Sequence, residues 1–400
     1  MIKLGCDESI PQGWRWVKAQ DCIDVRDGTH DSPKSVSDGI PLVTSKNLVG
    51  GSIDFSTCSL ISYEDHEAIS RRSGVDDGDI LYAMIGTIGN PVIVEKTQDF
   101  SIKNVALFKF PDKSVNNRFI YHFLNSPLAT RQFESNSRGG TQKFVSLGNI
   151  RSLEIPLPPL TEQQRIAAIL DKADAVRRKR QQAIQLADEF LRAVFLDMFG
   201  DPVTNPKGWD VCRFEDLTSL VTYGLTVRPK YHEEGVPLIS AREIRTGELD
   251  FESCPRISKL DFDKLSEKGR PKKNDILFSK TGSIGHCAMV KTHLDFAVTQ
   301  NAARIVPNKN VCDPTFLLAF MRTNYFYDLA NKEAKGNAVK DLQLGIMKSF
   351  PMYIPPIFLQ KKFADLYSKA SVFSEKVSGG SNLLNSNFGA LSQKAFTGNL

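Results

Sequence analysis

Between Leu157 and Gly200 apolar side chains fall at Ile166, Ile169, Leu170, Ala173, Val176, Ala183, Ile184, Ala187, Phe190, Leu191, Val194 and Met198, close to the i, i+3, i+4, i+7 rhythm of one helical face. A proline stop at Pro156, Pro158 and Pro159 precedes this run, and neither proline nor glycine interrupts it before Gly200. Thr161 is placed to cap the N-terminus, with Gln164 as its capping-box partner. The pattern predicts one helix reaching about 55–60 Å at 1.5 Å per residue, a spacer between two large flanks. Taken alone, so long an amphipathic helix reads as half of a coiled-coil dimer.

The flanks carry shorter patterns. ILYAM (from Ile80) with PVIVEK (from Pro91), and ILFSK (from Ile276) with CAMVK (from Cys287), are apolar, β-rich runs on either side of a Gly-[Thr/Ser]-Ile-Gly turn. RFIYHFLNS (from Arg118) and TFLLAFMRTN (from Thr315) read as short helices. These correspondences belong to a repeat at an offset near 196 residues. PQGW ending at Trp14 returns as PKGW ending at Trp209, Gly39–Phe55 returns as Gly235–Phe251, and Gly78–Gly89 as Asn274–Gly285. Asn104, Ala106, Phe123, Pro158 and Pro159 match Asn301, Ala303, Phe320, Pro355 and Pro356. A whole unit, one globular domain followed by one helix, has been duplicated. The reading is an α+β class chain: a first domain over 1–155, a helical spacer over 156–200, a second domain over 201–353 and a second helical region over 354–400. In the last region Gly379, Gly380 and Gly389 each cost up to about 1 kcal/mol relative to alanine, which predicts a kinked or frayed middle.

Composition narrows the class. With 400 residues, 41% of them hydrophobic, the chain can bury two cores. No window approaches eighteen consecutive apolar residues and the N-terminus lacks a signal-peptide pattern, so a cytoplasmic protein without a membrane partner is expected. The seven cysteines are scattered singly, which argues against a disulfide framework or a zinc knuckle. A net charge of +5 permits a nucleic-acid partner without demanding one.

Enzyme constellations are missing. There is no phosphate loop, no dinucleotide fingerprint and no Asn/Asp-Pro-Pro-aromatic tetrad for methylating a flipped base. His30, His66, His122, His232, His286 and His293 are never paired at i, i+4, so neither a metal site nor a cofactor is expected in this chain. Asp313 with Glu333, Ala334 and Lys335 loosely resembles a nuclease metal site, but the first repeat has no equivalent. The glycines of the repeated turn, Gly86, Gly89, Gly282 and Gly285, suit either a phosphate cradle or a tight turn needing positive φ, and the turn is favoured.

Matched loops in both repeats gather basic and amide side chains suited to phosphates and base edges. The candidates are Arg26, Thr29, His30, Lys46, Arg138, Gln142 and Lys143 in the first domain, with Arg228, Lys230, Arg242, Lys280, Lys335 and Lys340 in the second. On the long helix, Arg177-Arg178-Lys179-Arg180 covers every face, leaving open a partner interface or a solvated stripe.

The segment IPLPPLTEQQRIAAILDKAD followed by FLDMFGDP, together with DGTHDSP, GIPLVTSKNL, GVPLISAREI, GTIG, GSIG and GGTQKFVSLGNI, resembles the DNA-specificity (S) subunit of type I restriction-modification systems over essentially the full chain. The resemblance implies two target-recognition domains, each reading one half of a split, asymmetric double-stranded DNA target. They would be separated by two long antiparallel helices with pseudo-twofold symmetry. It also implies that the helices set the spacer and dock two modification (methyltransferase) subunits, with Ile166, Leu170, Ala173, Ile184, Phe190, Leu191 and Phe363 as the residues for helix pairing or docking. S-adenosylmethionine, ATP and Mg²⁺ would then belong to the modification and restriction subunits. Two rivals stand beside this reading, a stand-alone metal-dependent nuclease and a helical interaction protein with no DNA role.

Overall fold

The computed structural model describes residues 10–86, 88–136, 144–227, 229–244, 247–378 and 381–400. It divides into two units, one built from residues 1–181 with 378–400 and the other from residues 182–377.

In the first unit four antiparallel strands lie in the order Asp24–Asp27, Val105–Lys109, Ile80–Ala83 and Gly89–Ile93. Ile80, Leu81, Tyr82 and Ala83 are all buried, which is why the run is apolar without alternation. Successive side chains point to opposite faces, so Ile80 and Tyr82 join a core with Phe119, Phe123, Ile166 and Leu170, while Leu81 and Ala83 join a second with Val43, Val92 and Ile102. A smaller sheet of Ser59–Ile61, Ile40–Val43 and Ser101–Ile102 covers that second face, its last pair parallel.

The second unit repeats the plan. Its strands run in the order Thr218–Tyr223, Ala302–Pro307, Ile276–Ser279 and Cys287–Met289. Ile276 and Phe278 face Phe316 and Phe320, and Leu277 faces Ile239 and Val298. The two expected short helices are present as Asn117–Leu124 and Pro314–Met321.

The central helix is continuous over 40 residues, Leu160–Phe199. It opens directly after the proline pair, so Thr161 lies inside the first turn and does not cap it. The ordering group is Gln163, 1% exposed. Its Oε1 accepts the Asn116 N–H at 2.8 Å, and its Nε2 donates to the carbonyls of Ser114 at 3.0 Å and Pro158 at 2.9 Å. Gln360 repeats this on the Asp313 N–H at 2.8 Å and the carbonyls of Val311 at 3.2 Å and Pro355 at 2.7 Å.

The inward face of the helix differs from the sequence pattern at its far end. Ile166 and Leu170 are fully buried, and Ala173, Ile184 and Leu191 half-buried. Beyond them Phe195 and Phe199 take the inward positions, leaving Phe190, about 140° around the helix from Phe195, 54% exposed.

The distal region forms two helices, Ile357–Ser378 and Ser381–Phe396, with Gly389 inside the second and Gly379 and Gly380 outside the described residues. In the second unit Phe363 packs on Phe195 and Phe199, ring centroids 5.7 and 5.5 Å away. In the first unit Phe396 packs on Phe119 and Phe123 at 5.3 and 5.6 Å. The end of the chain thus fills the first core as the end of the central helix fills the second. Gly398 (φ 73°) backs onto Pro11 as Gly200 (φ 85°) backs onto Pro206.

Candidate nucleic-acid interface

The antiparallel register gathers the candidate loops of each unit at one end of its main sheet. In the first unit Asp27 pairs with Ala106 and Ala83 with both Val105 and Gly89, so Gly28–His30, Lys103–Asn104 and the Gly86–Gly89 turn emerge together. The parallel pair delivers Thr44–Lys46 to the same end: the Lys103 N–H donates to the Val43 carbonyl at 2.9 Å, and Ser45 Oγ to the Asn104 carbonyl at 3.5 Å. Phe144 bridges Ile85. In the second unit Tyr223 pairs with Ala303 and Ser279 with Ala302, Leu225 bridges Thr299, and the Gly282 N–H donates to the Lys340 carbonyl at 2.9 Å. Gly86, Gly89, Gly282 and Gly285 have φ of 77°, 114°, 79° and 108° between antiparallel strands. A side chain at Gly28 or Gly224 would collide with the carbonyl of Ile102 or Val298, so only glycine allows this crossing of strands.

Around this common frame the side chains differ. In the first unit Asp27, 5% exposed, accepts from the Arg72 guanidinium and lies 2.9 Å from His30 Nε2. His30 Nδ1 lies 2.9 Å from Asn104 Oδ1, and the His30 side chain is 62% exposed. With acceptors on both ring nitrogens the imidazolium is favoured: the bond to Asn104, then that to Asp27, raises its pKa above the ordinary histidine value. Arg26, on the opposite face of the strand, donates to Asp24 at 2.9 and 2.6 Å and to the Arg72 carbonyl at 2.9 Å. Thr29 Oγ1 accepts the Asp31 N–H at 3.1 Å, and Lys46 is exposed. Arg138, Gln142, Lys143 and Arg228 lie outside the described residues.

In the second unit Lys230, Arg242, Lys335 and Lys340 are exposed. Lys280 is not: its side chain is 11% exposed and its ammonium donates to Asp341 at 2.5 Å, with Thr281 Oγ1 donating to the same carboxylate oxygen at 2.5 Å. Burial opposes ionisation of Asp341, but the bonds from Lys280 and Thr281 prevail and hold its pKa below the usual carboxylate value. Met84, Ile85 and Phe144 stand at the matching places of the first unit, where the Ile85–Phe144 bridge and the Val145 N–H donating to the Met84 carbonyl at 3.0 Å join the loop, so an ion pair in one unit is replaced by apolar side chains in the other.

The first two arginines of the basic run on the central helix are engaged within the first unit. Arg177 and Arg178 both donate to Asp174 at 2.6 Å, Arg178 also donates to Tyr121 Oη at 2.7 Å, and Arg177 lies over the Phe388 ring, 5.4 Å from its centroid. Asp313 accepts the Thr315 N–H at 2.8 Å as the cap of its helix. Among the described residues no cluster of His, Cys, Asp or Glu is suited to hold a metal, and no helix is long and apolar enough to cross a membrane.

Asp27, Arg72, Asn104 and Asp341 were absent from the sequence candidates. The available signal was that a charged residue beside a buried strand needs a partner.

Two similar sheets, each presenting a different set of polar and basic loops at the same end, define a duplicated DNA-recognition protein. The chain belongs to the family of the type I restriction modification DNA specificity domain, whose model matches residues 11–186 and again residues 206–371. It is 23% identical to the type I restriction enzyme EcoBI specificity subunit of Escherichia coli over 98% of this chain and 87% of that subunit. Against the EcoKI specificity subunit of Escherichia coli (strain K12) the identity is 23%, over 98% and 90%. The crystal structure of the S subunit of a type I restriction-modification system from M. genitalium has the same fold, with a TM-score of 0.60 and 14% identity over 99% of this chain and 98% of that one. The function is that of a specificity subunit with two recognition domains, and neither the nuclease nor the DNA-free reading finds support.

Proposed function

We propose that each unit reads one half of a bipartite, asymmetric DNA target through the sheet end described above. In this reading the helices fix the spacer and dock two modification subunits in the cytoplasm. Those subunits supply S-adenosylmethionine and methyl transfer, and a restriction subunit, where present, supplies the ATP- and Mg²⁺-dependent step. The observation that carries the proposal is the pairing of one backbone frame with unlike side chains: Asp27, His30, Met84 and Phe144 stand where Tyr223, Thr226, Lys280 and Asp341 stand in the repeat. Two unlike readers on one frame suit two unlike half-sites. Leu186 and Phe190, 55% and 54% exposed on the central helix, support the docking role.

The test is to replace residues 14–151 with the matching domain of a relative and map methylated bases in cells that also make the modification subunits. One half of the target changes and the other is retained; methylation at the original full site would refute the assignment. In a second arm, inserting about one helical turn after Gln181 changes the preferred spacer or abolishes methylation. An unchanged spacer would remove that role from the helix.

A further inference from the structure

His30 sits between two groups of unequal freedom. Asp27 is buried and already bonded to Arg72, and an ionised carboxylate only accepts, so His30 Nε2 keeps its proton. Asn104 presents its Oδ1 to Nδ1 at 2.9 Å, which requires a proton there too. The Asn104 backbone is fixed: it has φ 53°, its N–H donates to the Thr29 carbonyl at 3.2 Å and its carbonyl accepts from Ser45 Oγ at 3.5 Å. Its Nδ2 has no hydrogen bond to any described residue. A neutral His30 would turn Nδ1 into an acceptor, and the amide would meet it only by turning over and presenting Nδ2. The outward end of Asn104 then changes from N–H donor to carbonyl acceptor.

We propose that Asn104 is a base-reading residue of the first unit and His30 its positioning residue, the proton on His30 deciding whether Asn104 offers DNA a donor or an acceptor. This rests on the reading that DNA lies at this sheet end. Donor outward, Asn104 suits purine N7, guanine O6 or thymine O4; acceptor outward, it suits the amino groups of adenine or cytosine. The charged groups that act on His30 are Asp27, at the end of the strand that leads to it, and Arg72 on helix Tyr63–Ser73, while Lys103, next to Asn104, reaches Ser32 Oγ at 2.5 Å. The second unit has Tyr223 and Thr226 at the places of Asp27 and His30, so the proton-dependent choice belongs to one half of the target only.

The experiment uses the full chain assembled with its modification subunits. Duplexes carry the methylated target mapped from cells, with each base pair of the first half varied in turn, and compete for binding at about pH 6 and about pH 8.5, on either side of histidine titration. For the wild type, preference at one position of the first half changes by about tenfold, the scale of one exchanged base-edge contact, and no position of the second half changes. His30→Ala, at an exposed side chain, removes the change. Asp27→Asn moves the changeover to lower pH, because the imidazolium loses its carboxylate. Equal preferences at both pH values in the wild type, or a change that persists in His30→Ala, would overturn the proposal. Lys46→Ala and Asn104→Ala separate the two levels of failure. If either weakens binding while the preference ignores pH, DNA lies at this sheet end and the proton-dependent choice alone fails. If both leave affinity unchanged, the placement of DNA fails and the proposal falls with it.

Discussion

Gln360 offers a direct test of how the repeated core is held. It is fully buried, and its three hydrogen bonds at 2.8, 3.2 and 2.7 Å join the proline stop to the cap of helix Pro314–Met321. Gln360→Met keeps nearly the same volume, so the change measures polar satisfaction with little cavity. Each internal bond contributes about 1 kcal/mol net, which sets the loss near 3 kcal/mol, and stranding the buried Asp313 N–H works in the same direction. Trp209, whose indole donates to the Phe199 carbonyl at 2.8 Å, reports on the second unit once Trp14 and Trp16 are replaced by Phe. Urea unfolding followed by its fluorescence yields the free energy. Gln185→Met, on an exposed face, is the control and changes stability by no more than about 0.5 kcal/mol. A loss below about 1 kcal/mol for Gln360→Met, or an equal loss in the control, would show that this glutamine does not hold the junction.

Two further outcomes follow from ionisable groups. His122 is 3% exposed beside Asp171 Oδ1 at 2.9 Å; burial lowers its pKa and outweighs the carboxylate. The unfolded chain therefore takes up the proton first, so the first unit loses stability as pH falls below about 6.5 and on through the lower folded value. Melting curves show a shallower fall in His122→Phe than in wild type over that window, and parallel curves would refute the assignment. Asp341→Asn breaks the partly buried pair with Lys280 and destabilises the second unit by about 1–2 kcal/mol, discounted because Asp341 is 40% exposed. Lys280→Met, Thr281→Ile and Asp341→Phe together, the first unit's solution, restore most of it; denaturant midpoints that fail to recover would show that the two loops are not anchored equivalently.

The duplication was legible because whole segments return at one offset, and strands such as Ile80–Ala83 because a continuous apolar run between glycines has few other structures. The phase of the central helix was legible only in part. Over 40 residues an apolar list drifts between faces, and which aromatic turns inward is decided by Phe316 and Phe363, more than a hundred residues away, so Phe195 and Phe199, absent from the apolar list, are buried, while Phe190, which is on it, is exposed. Gln163 looked like any surface polar residue in a helix, since nothing in a one-dimensional pattern marks an amide that satisfies three backbone groups. The loops were recognisable as polar clusters, but their internal pairing was not. Asp27 and Arg72 are 45 positions apart, and only the fold shows that Lys280 is committed to Asp341.

The closure of the first core by Phe396 has a consequence for synthesis. The second unit is one uninterrupted stretch, residues 182–377, whereas the first needs residues 378–400 to fill the space against Phe119 and Phe123. At about 5–20 residues per second a ribosome takes about 10–40 s to make the intervening stretch, and through that time the first unit waits with an open apolar face. A nonsense codon late in the message would leave the second reader whole and the first unfinished. The half of the molecule that is begun first is completed last.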